Sequence, residues 1–332
     1  MKKITAILLL IIITLSLFAG CGRETGTETS AVPTETEVPA ETLSPLPEVD
    51  ADPLIWQVTD KDGHTLYLFG TMHAGDERSD GVLKDVDKIL SSCDSLAVEF
   101  DTEEYQRHIS DMMTDMKKFV YTDGTKITDH LSEDLYNKMK DVLTEANLYS
   151  SMYDMYRPCM WSQLLESAYL EKTSLSTDYA IDVMLIGRAK SLGKPVLDIE
   201  SGSFQMSLLA SFPDELNILM IESTLDYSYE EYADGLAELY DAWLSGDEAK
   251  IEELSNETDD ELTEEEQKLL DDYNYKMLDE RNLGMADKAR EYLKGGDTVF
   301  FAVGAAHTVG DAGIVSLLEK DGYTVRKIST EG

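Results

Sequence analysis

The sequence predicts a mixed α/β fold, α+β in its proportions, with a central β-sheet built from N- and C-terminal strands and a large helical insertion between them. Three observations carry this. Two β-rich runs, Leu54 to Thr59 and Thr65 to Phe69, open the globular part, and two more, Thr298 to Val303 and Tyr323 to Ile328, close it. From Pro213 to about Lys294 the pattern is instead helical and strongly acidic. Strands at both ends with helices between them describe one α/β domain whose middle is an insertion.

Each element has its own signal. Asp62-Gly63, between the first two runs, is a strong hairpin turn. Leu83 to Leu90 reads as a short helix and Ser95 to Phe100 as a strand. Ser132 stands as an N-cap, with Glu133 and Asp134 in the first turn where the helix dipole favours acids, and Leu135, Met139 and Leu143 follow at helical spacing. Tyr179 to Leu192 is periodic and is closed by Gly193, after which Pro195 to Ile199 reads as a buried strand. Asp311 is expected to cap a helix that ends at Gly322. The runs Asp259-Asp260-Glu261 and Glu264-Glu265-Glu266 read as a solvated helix face, since no calcium-loop pattern accompanies them.

The N-terminus is a separate matter. Met1-Lys2-Lys3, an apolar run from Ile4 to Phe18 and then Ala19-Gly20-Cys21 follow the order of a secretory signal. They resemble a bacterial lipoprotein signal whose cysteine is acylated, with Phe18 where leucine is usual; a membrane span would need roughly 20 apolar residues. Residues 1–20 are therefore read as a signal peptide, 21–52 as the lipid-anchored Cys21 with a disordered acidic Thr/Glu/Pro tether, and 53–332 as the globular domain. The tether carries almost no large apolar residue to offset chain entropy, and Pro33, Pro39, Pro45 and Pro47 stiffen it. The expected location is extracytoplasmic, at the cell membrane.

Composition narrows the function. The chain has 332 residues, 66 acidic and 28 basic, for a net charge of −38. Loss of Lys2 and Lys3 leaves 26 basic residues against 66 acidic ones, a net −40 on the mature chain. Nucleic acid is excluded as a partner, because phosphate binding relies on Lys and Arg. Long-range steering favours neutral or basic peptides over acidic ones. Three cysteines without a C-x-x-C make neither a disulfide scaffold nor a thiolate metal site, and Cys93 and Cys159 read as inert core residues. No P-loop, G-x-G-x-x-G, G-x-S-x-G or H-E-x-x-H pattern occurs.

One short pattern occurs twice: an apolar strand running into Gly-x-x-His. The copies are Leu66-Tyr67-Leu68-Phe69-Gly70-Thr71-Met72-His73 and Val299-Phe300-Phe301-Ala302-Val303-Gly304-Ala305-Ala306-His307. Ligand sites of open α/β sheets lie beyond the carboxyl ends of strands, so the two histidines meet if their strands are parallel neighbours. Glu99, near the end of Ser95 to Phe100, is a carboxylate in an apolar strand and needs a cation or a donor. Two imidazoles and a carboxylate suit a divalent metal with open positions. The plainer alternative is a pair of strand-end histidines satisfied by backbone groups. His64, His108 and His130 fall in polar, solvent-facing settings.

At these residues the sequence resembles the TraB/GumN family, related to the Tiki metalloproteases and more distantly to erythromycin-esterase-like and ChaN-like proteins. The likeness runs from about Leu54 to Ile328 and rests on both Gly-x-x-His segments, Ala97-Val98-Glu99, Asp182 with Gly193-Lys194-Pro195-Val196 to Glu200 and Gln205, and Glu280-Arg281-Asn282 with Met285-Ala286. It implies a site in which His73, Glu99 and His307 hold a divalent metal (Mn, Co or Zn), and Glu99 alternatively serves as general base. It implies catalytic roles for Arg281, as an oxyanion donor, and Asn282, as an orienting group for ligand or substrate carbonyl. The alternative for Glu280-Arg281-Asn282 is an ordinary salt-bridged helix. Asp182, Glu200 and Gln205 have weaker claims: Asp182 is expected on a helix surface, and Glu200 is at most a supporting group. The functional expectation is a membrane-tethered, metal-dependent hydrolase, foremost a peptidase acting on peptides or proteins. The alternatives are a non-catalytic lipoprotein that sequesters a signal peptide, and a haem-binding module.

Overall fold

A computed structural model describes residues 51–256 and 262–328. The signal peptide, Cys21, the tether up to Asp50 and the Asp259-Asp260-Glu261 run lie outside the described residues. Among the described residues no helix is long and apolar enough to cross a membrane.

Six strands form one mixed sheet: β1 (Ile55–Thr59), β2 (Thr65–Thr71), β3 (Ser95–Val98), β4 (Val196–Asp198), β5 (Val299–Gly304) and β6 (Thr324–Lys327), in the order β4-β3-β5-β2-β1-β6. N- and C-terminal strands interleave as the sequence requires. β1 is antiparallel to β2 and β6, whereas β2, β5, β3 and β4 are mutually parallel along the sheet. The hairpin turn is held by Asp60, whose Oδ1 accepts from the amides of Asp62 and His64 at 2.8 and 2.9 Å, with Gly63 at φ 90°. β5 is buried along its whole length, which is why its sequence is a continuous apolar run without alternation.

Several boundaries depart from the sequence reading for identifiable reasons. β3 ends at Val98, which leaves Glu99 just past the strand although its carbonyl still accepts from Glu200 N at 2.9 Å. β4 is an edge strand, so Val196 and Leu197 are half-buried and Asp198 is exposed rather than interior. Asp311 does not cap the last helix; a turn closed by Gly313 N donating to Gly310 O delays the helix to Ile314–Lys320, directly after Gly313. The first helix begins at Arg78 rather than Leu83, because Asp76 accepts the Arg78 amide and opens it a turn earlier.

Two apolar clusters divide the interior. One surrounds the sheet and includes Phe69, Phe300, Phe301 and Trp243; the other lies among the inserted helices and includes Trp161, Phe212 and Tyr273. Val98 and Ala305 belong to the first, Phe100 and Ala306 to the second. The strand ends that carry Glu99 and His307 therefore lie on the seam between them. Cys93 and Cys159 are free and buried, and burial pushes both thiols up to about 12, which keeps them un-ionised and inert.

Glu166, in the buried helix Pro158–Leu170, is 1% exposed and is held by hydroxyls: Tyr232 donates to it at 2.7 Å and Thr224 at 3.2 Å. Burial pushes its carboxyl up to about 7. Between the ordinary value of about 4.3 and this raised one, the unfolded chain releases a proton that the folded chain keeps, so stability falls as pH rises through that window. Glu166→Gln is therefore expected to gain about 2–4 kcal/mol at pH 8 and little at pH 4.5, measured by urea unfolding. Equal effects at both pH values would show that the carboxyl is not the cause.

Candidate functional site

The parallel register of β2 and β5 pairs Gly70 with Val303 and Thr71 with Gly304, so both Gly-x-x-His turns leave the sheet side by side. Gly70 is closely packed, since a Cβ there would lie 3.2 Å from both Leu54 Cβ and the Ala305 backbone. After Gly304 the short turn Ala305–His307 carries His307 to complete burial. Because β5 lies between β2 and β3, Gly304 sits among all three side chains. A Cβ on Gly304 would stand 3.4 Å from His73 Nε2, 3.4 Å from Glu99 Oε1 and 3.6 Å from His307 Cδ2. His307 Nε2 and Glu99 Oε1 are 3.9 Å apart. Two imidazoles from opposite ends of the chain and one carboxylate thus converge on one point.

Neighbouring groups set the state of each. Asn282 Nδ2 donates to Ala312 O at 3.0 Å, which orients its amide and turns Oδ1 toward His307 Nδ1, 2.6 Å away. His307 must then carry its proton on Nδ1, leaving a lone pair on Nε2, and that buried atom has no hydrogen-bond partner. His73 Nδ1 meets Asp182 Oδ2 at 3.2 Å, which favours the same tautomer. Acceptors at Nδ1 are the arrangement that orients metal-binding imidazoles.

Glu99 is held just as fully. Its Oε1 accepts from Gly304 N at 2.9 Å, and its Oε2 accepts from Arg281 Nη2 at 2.6 Å and Gln205 Nε2 at 2.9 Å. Arg281, 3% exposed, also binds Glu200 through Nε and Nη2 and Met277 O through Nη1. Gln205 bridges to Glu200 at 2.9 Å. Burial alone would push the Glu99 carboxyl up, but the Arg281 guanidinium beside it holds it well below the usual carboxylate range. Burial, with Arg281 nearby, lowers His307 to about 3, so its imidazole is neutral. Burial also works against charge on His73, yet Asp182 and then Glu99 raise it above the ordinary histidine value.

The open side of this cluster is a cavity of about 20 Å³ lined by Thr71, His73, Glu99, Thr102, Asp182 and Ile186, among others. That is room for one water or one ion. Among the described residues no group of three or more His, Cys, Asp or Glu side chains is already drawn together tightly enough to hold a metal. In donor chemistry the set still fits a divalent ion: an orphaned imidazole nitrogen, a second imidazole oriented by a carboxylate, an ionised carboxylate, and a glycine cradle between them.

A profile of the TraB/PrgY/gumN family matches residues 54–327. The chain belongs to this family. Two relatives, each named "Uncharacterized protein YbaP" and found in Escherichia coli (strain K12) and Shigella flexneri, are 23% identical over 180 residues, which is 54% of this chain. The chain spans 64% of the length of each.

Within this TraB/PrgY/gumN chain, His73, Glu99, His307, Arg281, Asn282, Asp182, Glu200 and Gln205 form one connected cluster. Arg281 and Asn282 reach it differently from the sequence expectation: the guanidinium is spent on two carboxylates and a carbonyl, and the amide is spent on His307 and Ala312. Asp182 was expected on a helix surface. Its helix, Ile181–Ser191, starts against the end of β2, with Ile181 N donating to Met72 O, and this brings Asp182 onto His73. His64, His108 and His130 lie elsewhere, on Asp60, a helix junction and Tyr121. The sequence reading missed Thr71, whose buried hydroxyl lines the cavity. Its position between Gly70 and His73 was the available signal.

Proposed function

We propose that this chain is a divalent-metal-dependent hydrolase, extracytoplasmic and tethered through Cys21, that cleaves peptides or proteins. The observation that carries the reading is the orphaned Nε2 of His307, buried and oriented by Asn282 toward the same point as His73 Nε2 and Glu99 Oε1. His73, Glu99 and His307 would hold the ion. A divalent metal there supplies Lewis acidity, lowering the pKa of water and polarising a carbonyl. The chain's own residues do the positioning: Asp182 and Asn282 fix the imidazole tautomers, while Arg281 and Gln205 keep Glu99 ionised and still. A groove of about 580 Å³, lined by Glu200 and Arg281 together with Ile199, Phe204, Leu208 and Gly284, has the size for a substrate side chain. Neutral or basic peptides are favoured by the net charge of −40 on the chain tethered at Cys21.

The same groove serves a second reading, a module that sequesters a signal peptide without turnover. The 20 Å³ of the cavity beside His73 and Glu99 gives no support to haem. Metal content and turnover separate the readings, with Gly304→Ala as the test of the ion's position. The added methyl meets its neighbours at ordinary contact distances, 3.4 Å and beyond, so the fold should persist while the ion's position is crowded. Wild type is expected to bind one equivalent of Mn, Co or Zn by elemental analysis and to cleave members of a synthetic peptide pool, and the variant to do neither. Metal bound with no cleavage in the pool favours sequestration; wild type free of bound metal after loading would end the metal reading.

A further inference from the structure

Six buried side-chain polar atoms among those described have no hydrogen-bond partner, and three of them, Thr71 Oγ1, Asp182 Oδ1 and His307 Nε2, belong to the one site. Burying an unpaired polar atom costs stability, so three in one place mark a site that completes itself with a ligand. Their chemistry differs. Asp182 Oδ1 and His307 Nε2 carry lone pairs and can only accept or ligate, given the tautomer that Asn282 imposes. Thr71 Oγ1 carries a proton to give.

A hydrolytic site needs a donor for the oxygen on which charge develops. Arg281 is committed to Glu99, Glu200 and Met277 O, Asn282 Nδ2 to Ala312 O, and Gly304 N to Glu99. Thr71 is 2% exposed, stands opposite Gly304 in the β2–β5 register, and lines the same cavity as His73, Glu99 and Asp182. We infer that Thr71 donates its hydroxyl hydrogen to the carbonyl oxygen of the bond being cleaved, the role that the family resemblance gave to Arg281. The inference rests on the hydrolytic reading above and names the group that contacts the reacting atoms.

Thr71→Val keeps the shape and removes the donor; Thr71→Ser keeps the donor. With the best-cleaved peptide of the pool, Thr71→Val is expected to lower kcat by about a hundredfold with KM and bound metal unchanged, and Thr71→Ser to recover most of the rate. The metal-free Thr71→Val chain should melt no lower than wild type, because the lost hydroxyl had no partner. An active wild type with an equally active Thr71→Val overturns the assignment, as does loss of metal or a lower melting temperature in that variant, which would make Thr71 a structural residue. A metal-loaded wild type that cleaves nothing defeats the hydrolytic reading itself, and this assignment falls with it.

Discussion

His307→Ala should leave a folded chain that binds no divalent metal and cleaves peptides at least a thousandfold more slowly than wild type. The expectation follows from the unequal engagement of the ring's two nitrogens. Nδ1 meets Asn282 at 2.6 Å, whereas Nε2 is buried without a partner. Removing the ring therefore costs one hydrogen bond and opens a ring-sized cavity, about 3–5 kcal/mol, against the roughly 5–15 kcal/mol that holds a typical domain folded. It also removes the one ligand candidate that is wholly neutral, since burial lowers His307 to about 3 and no proton competes for Nε2 near pH 7. Elemental analysis after loading and gel filtration, paired with circular dichroism, checks both halves. Stoichiometric metal in the folded variant would show that the ion, if held, is held elsewhere.

Val299–Gly304 was legible because central parallel strands need continuous apolar runs, and it is one. The pairing of the two Gly-x-x-His turns followed from the same runs, since parallel neighbours deliver their ends to one edge of the sheet. What sequence could not supply was direction. Asp182 lies in the first turn of a helix whose periodicity does not say what that turn abuts, and only the contact of Ile181 with Met72 shows that it meets the end of β2. Arg281 and Asn282, adjacent on the helix Glu280–Gly295, point about 100° apart, so an ordinary salt-bridged helix stood as the alternative to a shared site. They share it because the long guanidinium crosses to Glu99 while the short amide reaches His307 from beside it. The π-helical turn Tyr275–Asp279 directly before them gives Arg281 its hold on Met277 O. Val196–Asp198 reads as interior because an edge strand and a central one share β-propensity and differ in neighbours, which are set by topology.

The same geometry makes Arg281 the residue whose loss should damage stability most. Its side chain is 2% exposed and neutralises Glu99 at 2.6 Å and Glu200 at 2.8 Å, whose own side chains are 8% and 11% exposed. Arg281→Met fills similar volume but leaves two near-buried carboxylates joined only through Gln205. Stranding a buried charge in this way typically costs about 3–5 kcal/mol. The loss should depend on pH in a definite direction. In wild type Glu99 is held below its unfolded value, so its contribution is present above about pH 4.3 and is lost as pH falls further. Without Arg281, burial dominates and Glu99 rises above its unfolded value; the folded variant then retains a proton that the unfolded chain releases, and its stability falls as pH rises. Both trends narrow the gap on acidification. Urea unfolding should find Arg281→Met far below wild type at pH 8 and closer to it at pH 5. Adding Glu99→Gln to Arg281→Met should recover part of the loss at pH 8, because the double variant buries an amide where the single one buries a charge. A gap that stays constant across this range would mean that Arg281 stabilises the fold through packing and not by holding Glu99 charged.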